Sequence, residues 1–287
     1  MTDAAELPRV DTWKASRTAL AAEVTRVVTL LRDTPDPPPR PAGEAWGFAE
    51  IATHLSHGWM TLPQLSQGHV TPIIDLVGQS AITHPSEMGA LTEGAVAADP
   101  ERDPLALADR IETAASAYLA ACSDDDVGET TQWIVDDVMA PVPMFTAHLL
   151  SETVLHGFDL ARAAGRPWRV EPAHASMALH EFLVPVIHRI PERLIDADAL
   201  RRDRIVLDIR LRQAPRLRLR FEDDGLHADD PGDPGSVDAH IATDPATFLV
   251  YLWGRRGLAQ TLARGSMLVW GRAPWRAVSM ARAVGLP

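Results

Sequence analysis

Three residues that bind protons and metal ions recur at a spacing of four in the apolar stretch AHLLSETVLHGFD, namely His148, Glu152 and His156. Residues four apart on an α-helix lie on the same face, so these side chains form one stripe along a helix. The residues that flank this stripe are apolar: Phe145, Leu149, Leu155 and Leu160. The stripe is therefore predicted to face packed interior and not water.

A buried glutamate is costly unless it is neutralised or matched with a cation. One arrangement that satisfies Glu152 is an ion pair with a protonated histidine four residues away. The other is a divalent metal ion, which takes histidine and carboxylate ligands from one face. The spacing within the stripe leaves both arrangements open.

A metal site needs at least one further ligand from another segment, and GFAEIATHLSHGWMTL offers two histidines. On a helical wheel His54 lies at the flank of the apolar face, next to Ile51, and can reach an interior. His57 points nearly opposite to that face, so we expect it to meet solvent or a neighbouring loop. Taken alone, His54 also fits a hydrogen-bonded histidine at the core boundary. We interpret His57, His69 and His84 as surface or loop residues.

Four long helices are predicted to position these residues. Apolar periodicity predicts helices over about 11–32, 46–66 and 104–121, with a long connection at about 70–103 that includes a short helix. The fourth helix begins near Pro141 and Pro143, which suit a first turn, and stops at Gly165 and Pro167. Four helices of such lengths indicate a bundle, in which cofactor sites form between facing helices.

The pattern changes after Trp168. A helix over about 172–200 is followed by two runs with a period of two, Ile205–Leu211 and Arg216–Phe221, which predict half-buried antiparallel strands. Further strands are predicted at Val237–Thr243 and Met267–Trp270, and further helices at about 245–253 and 274–284. We therefore predict two domains, a four-helix bundle over residues 1–168 and an α+β domain with an antiparallel sheet over 169–287.

Composition narrows the possible partners. The formal net charge of −12 argues against nucleic acid and anionic membranes, which leaves a small-molecule substrate as the expectation. The N-terminal residues lack a basic start followed by an apolar run, and no window is apolar enough to span a bilayer, so we expect a cytoplasmic protein. We expect a monomer.

Cys122 is the only cysteine, so no intramolecular disulfide can form. The acidic residues Asp124, Asp125 and Asp126 that follow it are expected to raise the pKa of its thiol, which makes it a poor nucleophile. Any thiol chemistry must therefore come from a bound thiol.

His54, with Glu152 and His156 as an E-x-x-x-H pair on a later helix, resembles the mycothiol-dependent maleylpyruvate isomerase family. The continuation HGFDLARAAGRPW, from His156 to Trp168, is similar to that family's H-x-x-D-L…G-x-P signature. In the second half, IATDP and LWGR, which starts at Leu252, resemble a sterol carrier protein-like domain. The resemblance implies a DinB-like four-helix bundle followed by a smaller sterol carrier protein-like α+β domain.

The family resemblance also implies a site. His54, Glu152 and His156 would bind a divalent metal, usually taken as zinc, and mycothiol would be the thiol cofactor. The mycothiol thiolate would add to the cis double bond of a maleyl substrate, and elimination after bond rotation would give the trans isomer. His148 is not among the expected ligands and is interpreted as an outer contact of the metal site or of the bound thiol or substrate.

Two further residues are candidates for a catalytic role. Asp159 could orient an imidazole by accepting its second N–H, or it could be a carboxylate on the helix surface. The resemblance also suggests an essential arginine in the second half. Arg255 is our choice over Arg256 and Arg272 as the anchor of a carboxylate.

Two other functions stay open at the level of sequence. The same metal thiolate would serve a mycothiol S-transferase or thiol-exchange enzyme that acts on an electrophile or natural product. A third possibility is a non-catalytic small-molecule binding or regulatory protein whose C-terminal domain holds an apolar ligand.

Overall fold

The computed structural model describes residues 9–40, 44–69, 82, 84–195, 204–230, 232 and 235–277. The chain divides into two compact units after Val170, with the short segment His84–Ser86 counted in the second. Within the described residues, no helix combines the length and the apolar character needed to cross a membrane.

The first unit is built from helices and one short hairpin. The helices are α1 (Val10–Arg32), α2 (Phe48–Ser66), α3 (Met88–Ala98), α4 (Pro104–Ala121) and α5 (Val142–Ala163). The hairpin consists of β1 (Thr130–Gln132) and β2 (Met139–Pro141), and 3-10 turns cover Pro85–Glu87 and Asp124–Gly128. The four long helices closely match the predicted bounds. The short helix expected in the 70–103 connection is α3, and residues 70–81 of that connection lie outside the described residues.

The four long helices pack as a bundle in which α1 and α2 each contact both α4 and α5. Large apolar side chains fill the space between them, among them Trp13, Leu20, Phe48, Trp59, Leu107 and Phe145. The Thr146 hydroxyl on α5 forms hydrogen bonds with α1 and α4. The Trp13 indole donates to Thr146 Oγ1 at 2.9 Å, and the Tyr118 hydroxyl shares a hydrogen bond of 2.7 Å with the same atom.

Helix α5 lies especially close to its neighbours at Gly157. A Cβ atom at this position would lie 3.0 Å from both Val27 of α1 and the Trp168 ring, so the packing depends on the absence of a side chain. The helix ends at Ala163, two residues before the predicted stop at Gly165, whose φ of 65° is favourable for glycine. The Arg166 N–H then donates to the carbonyl of Ala161 at 2.8 Å.

The second unit starts with an irregular helical segment. It comprises α6 (Pro172–Met177), a π-helical turn at Ala178–Leu183, α7 (Val184–Arg189) and a 3-10 turn at Pro191–Arg193. The prediction of one regular helix over 172–200 is therefore wrong, because a π-helical turn interrupts the segment and α7 ends at Arg189. Residues 196–200 lie outside the described part. Residues 278–284 of the last predicted helix also lie outside it.

A five-stranded sheet follows, with the order β5-β4-β3-β6-β7. Its strands are β3 (Ile205–Leu211), β4 (Leu217–Glu222), β5 (Gly225–Asp229), β6 (Ala239–Thr243) and β7 (Met267–Gly271), and α8 (Pro245–Leu252) and α9 (Leu258–Ala263) lie between the last two strands in sequence. The prediction of an antiparallel sheet is wrong for one pair, because β3 and β6 run parallel. The connection from β5 to β6 crosses β4 and β3, which makes a parallel neighbour possible. The pattern had not indicated β5 or α9.

Strand β3 is buried more fully than its alternating pattern predicts. Leu207 on one face is apolar and buried as expected, but Asp208 on the opposite face is only 1% exposed. The Asp208 carboxylate accepts hydrogen bonds from Arg210 Nε at 3.1 Å, from His240 Nδ1 at 2.6 Å and from Arg216 Nε. The buried charge is thus satisfied by three side chains from β3, β6 and the residue that precedes β4.

Candidate metal centre

Helices α2 and α5 bring His54, Glu152 and His156 together. One potential ligand atom from each residue lies within 4.8 Å of the other two. Glu152 Oε2 is 3.6 Å from His54 Nε2 and 3.2 Å from His156 Nε2. The two imidazole rings meet edge to face, with centroids 4.6 Å apart. Three ligand atoms from two helices therefore converge on one point.

These distances suit a tetrahedral ion. Two ligands that each lie about 2.1 Å from a tetrahedral zinc ion are separated by about 3.4 Å. The observed separations of 3.6 Å and 3.2 Å bracket this value. Two imidazoles and one carboxylate also leave a fourth position open, as in catalytic and not structural zinc sites. The donor set thus fits a divalent ion with room for an exogenous ligand.

The protonation of the site also fits a metal. Burial alone would raise the pKa of Glu152, but the neighbouring imidazoles of His156 and His54 outweigh it and hold that pKa well below the ordinary value. Burial lowers the pKa of His54, so this imidazole is neutral near pH 7. An anionic carboxylate beside a neutral imidazole is the state that a metal ion requires of its ligands.

Asp159 lies one turn beyond His156 on α5. Its Oδ2 is 3.4 Å from His156 Nδ1, the ring nitrogen that faces away from Glu152. Asp159 is only 7% exposed, so the alternative of a carboxylate on the helix surface is wrong. A carboxylate at the outer nitrogen of a metal-binding histidine orients the ring and increases its basicity.

His148 lies one turn before Glu152, at the edge of the site. Its Nε2 is 3.8 Å from Glu152 Oε1, and it is not part of the group of three converging ligand atoms. Burial lowers the pKa of His148 to about 4. The Trp133 indole donates to His148 Nδ1 at 3.3 Å, and the Trp46 ring lies 5.0 Å from that of His54. The sequence had not indicated a role for either tryptophan, because Trp133 lies outside the predicted helices and strands and Trp46 only begins one of them.

His57 is buried, so the expectation that it meets solvent is wrong and the alternative of a neighbouring loop is correct. Its Nε2 donates to Asp99 Oδ2 at 2.9 Å, and Arg110 donates to the same oxygen at 2.8 Å. Asp99 begins the connection from α3 to α4. His57 is therefore the buried member of a partly exposed cluster, with Asp99 and Arg110, that joins α2 to α4. His69 is exposed after α2, as predicted.

The second unit contains the predicted arginine and a second cluster of three potential metal ligands. Arg255 follows α8 and donates to the carbonyl of Trp253 at 3.1 Å, and its role in substrate binding stays a prediction. Potential ligand atoms of Glu222, Asp224 and His227 also lie within 4.8 Å of one another. His227 pairs there with Asp224 at 3.0 Å, and Glu222 pairs with arginines. Ion pairs account for this second group.

Cys122 follows the end of α4 in the first unit. Burial raises the pKa of its thiol, and Asp126 adds to this effect while Arg17 opposes it. The predicted direction is confirmed, although burial and not the acidic sequence is the principal cause. The protein's own thiol is thus a weak nucleophile near neutral pH.

No family model and no curated protein sequence matches the chain. Solved structures are similar in fold, among them two of one enzyme. One is a crystal structure of the mycothiol-dependent maleylpyruvate isomerase, with 13% identity and a TM-score of 0.50, covering 89% of this chain and 93% of that chain. The other, of a histidine-to-alanine mutant of that enzyme, has the same identity and coverage and a TM-score of 0.51. At this identity the similarity concerns the fold, over nearly the full length of both chains.

Proposed function

We propose that this protein is a metal-dependent enzyme that uses mycothiol and catalyses a cis–trans isomerisation of the maleylpyruvate type. His54, Glu152 and His156 would hold a divalent ion, and two imidazoles with one carboxylate form a donor set that suits zinc. The observation that carries the proposal is the convergence of these three ligand atoms within 4.8 Å. The fold similarity to mycothiol-dependent maleylpyruvate isomerase supports the choice of reaction.

The ion would supply one chemical property, the ability to hold a thiol sulfur as thiolate near neutral pH. The residues of the chain supply the rest. Glu152 brings a negative charge, and the neutral His54 contributes a nitrogen lone pair. Asp159 would keep the His156 ring turned so that Nε2 faces Glu152. The raised pKa of Cys122 is consistent with a nucleophile that comes from a bound thiol.

The bound thiol would supply an addition–elimination route, in which sulfur adds to one carbon of the cis double bond and the electron pair moves into the conjugated carbonyl. The remaining single bond rotates, and expulsion of the thiolate restores the double bond in the trans form. No thiol is consumed. Arg255 is proposed to bind a substrate carboxylate as a bidentate partner.

The test is metal analysis of the purified protein followed by turnover with mycothiol and maleylpyruvate. We expect stoichiometric zinc and isomerisation without net loss of thiol. The variant His156→Ala should lose both zinc and turnover, whereas His69→Ala, which changes an exposed histidine of the same unit, should retain both.

The other outcomes separate the remaining functions. Net consumption of mycothiol with an added electrophile, and no isomerisation, would favour the S-transferase or thiol-exchange enzyme. Protein without zinc and without turnover of either kind would overturn the proposal and favour a non-catalytic binding protein.

A further inference from the structure

The hairpin β1–β2 holds Trp133 in one place against α5. Trp133 follows β1, and its backbone N–H donates to the Val138 carbonyl at 2.8 Å. The Gln132 side-chain amide donates to the carbonyls of Trp133 at 3.1 Å and Val135 at 2.9 Å. The Trp133 side chain is only 2% exposed. A small, internally bonded element thus presents the indole to the helix that carries the metal-binding pair.

The hydrogen bond from this indole decides which ring nitrogen of His148 carries the proton. An indole N–H can only donate. His148 Nδ1, at 3.3 Å, must therefore accept and cannot itself be protonated. A neutral imidazole whose Nδ1 accepts carries its hydrogen on Nε2, and an imidazolium has no acceptor to offer. Trp133 therefore selects the Nε2–H tautomer.

The two oxygens of Glu152 face different partners. Oε2 lies toward His54 and His156, at 3.6 Å and 3.2 Å. Oε1 lies toward His148, whose Nε2 is 3.8 Å away. With its hydrogen on Nε2, His148 presents a donor to the carboxylate oxygen that is turned away from the other two histidines.

We infer that Trp133 is a positioning residue that fixes His148 as the Nε2–H tautomer, so that the ring turns an N–H toward Glu152 Oε1, 3.8 Å away, and offers no lone pair to a metal ion there. The inference rests on the proposed metal site. Its consequence there is that Glu152 would offer Oε2 to the ion, while Oε1 stays turned toward His148. A single ligand atom from Glu152 would leave room at the ion for a thiol.

The first test is the tautomer of His148 in the metal-free full-length protein at neutral pH. Long-range proton–nitrogen NMR correlations distinguish the two neutral tautomers and the imidazolium, and the variant His148→Gln assigns the signals. We expect the Nε2–H form in the unaltered protein and loss of this preference in Trp133→Phe, which keeps a ring but lacks the N–H. An Nδ1–H form or an imidazolium in the unaltered protein would refute the inference.

The second test measures zinc affinity by competition with a chelator. Loss of an outer contact commonly weakens metal binding by about 10–100-fold, and we expect a loss at the lower end of this range for Trp133→Phe and for His148→Leu. His148→Gln, whose amide nitrogen replaces Nε2, should bind zinc nearly as well as the unaltered protein. Equal affinity in all four proteins, or a His148 nitrogen that coordinates added zinc, would contradict the inference.

The two proposals fail in different ways. If the unaltered protein binds no zinc, the metal site and the proposed function are refuted, while the tautomer measurement still decides the role of Trp133. If Trp133→Phe does not fold, the role of Trp133 is decided by the tautomer of His148 in the unaltered protein and by the zinc affinities of His148→Gln and His148→Leu.

Discussion

His156 Nδ1 lies 3.4 Å from Asp159 Oδ2, one turn further along α5. Both side chains are buried, so the carboxylate constrains the imidazole from the side opposite to Glu152. His156 thus lies between two carboxylates, with Glu152 at Nε2, on the side of the proposed metal position, and Asp159 at Nδ1.

This relationship predicts the effect of Asp159→Asn. Because the amide carries no charge, it should orient and polarise the His156 ring less well, and zinc affinity should fall by about 10–100-fold. Chelator competition measures the change. Asp109→Asn, an exposed aspartate on α4, is the matched control and should leave the affinity unaltered. Equal affinities of the two variants would show that Asp159 has no influence on the ligand.

Two helical glycines are predicted to respond in opposite directions to alanine. Gly157→Ala places a Cβ 3.0 Å from Val27 and Trp168 and should lower the free energy of unfolding, by about 1–3 kcal/mol as for other overpacked sites. Gly58→Ala on α2 meets nothing within 4 Å, so it should raise that free energy by about 0.5–1 kcal/mol. Denaturant unfolding measures both. A stabilised Gly157→Ala variant would contradict the close packing of α5 on α1.

Asp208 should make the second unit sensitive to acid. Burial would raise the pKa of this carboxyl, but hydrogen bonds from Arg216, His240 and Arg210 outweigh it and lower the pKa to about 2. A folded-state pKa below the ordinary value of about 4 means that the stabilisation is complete above that pH. It is then lost as the pH falls toward 2.

We therefore expect the unfolding temperature of the unaltered protein to exceed that of Asp208→Asn at pH 5, and the difference to shrink between about pH 4 and pH 2. Differential scanning calorimetry over this range measures it. Asp223→Asn, in the exposed turn after β4, should show little difference at any pH. A difference for Asp208→Asn that stays constant down to pH 2 would argue against a lowered pKa.

Cys122 should react slowly with alkylating agents in the folded protein. Burial raises the pKa of its thiol, and only the thiolate reacts rapidly. Carbamidomethylation at pH 8, followed by mass spectrometry, should be slower for the native chain than for the same chain in urea. Since Cys122 is the only cysteine, the rates belong to a single site. Equal rates would mean that the native environment does not suppress the thiolate.

The local pattern of the chain predicts its regular elements well. Apolar periodicity together with Pro143 and Gly165 predicts α5 closely, because helix starts and stops depend on residues near each other in sequence. The alternation of residues predicts β3 and β4 for the same reason. The parallel pairing of β3 with β6 depends on the path of the intervening chain, about which alternation carries no information.

For the site, the sequence by itself determined that His148, Glu152 and His156 share one face of a helix and nominated His54 as their complement, whereas the structure leaves Glu152 partly exposed. Only the tertiary structure decided which groups face one another, because contacts between distant segments depend on how helices and hairpins pack. It brought His54 to one oxygen of Glu152, paired His57 with Asp99, and set Trp133 against His148. Residues that are equally spaced on one helix can thus have different roles, because different neighbouring elements contact each of them.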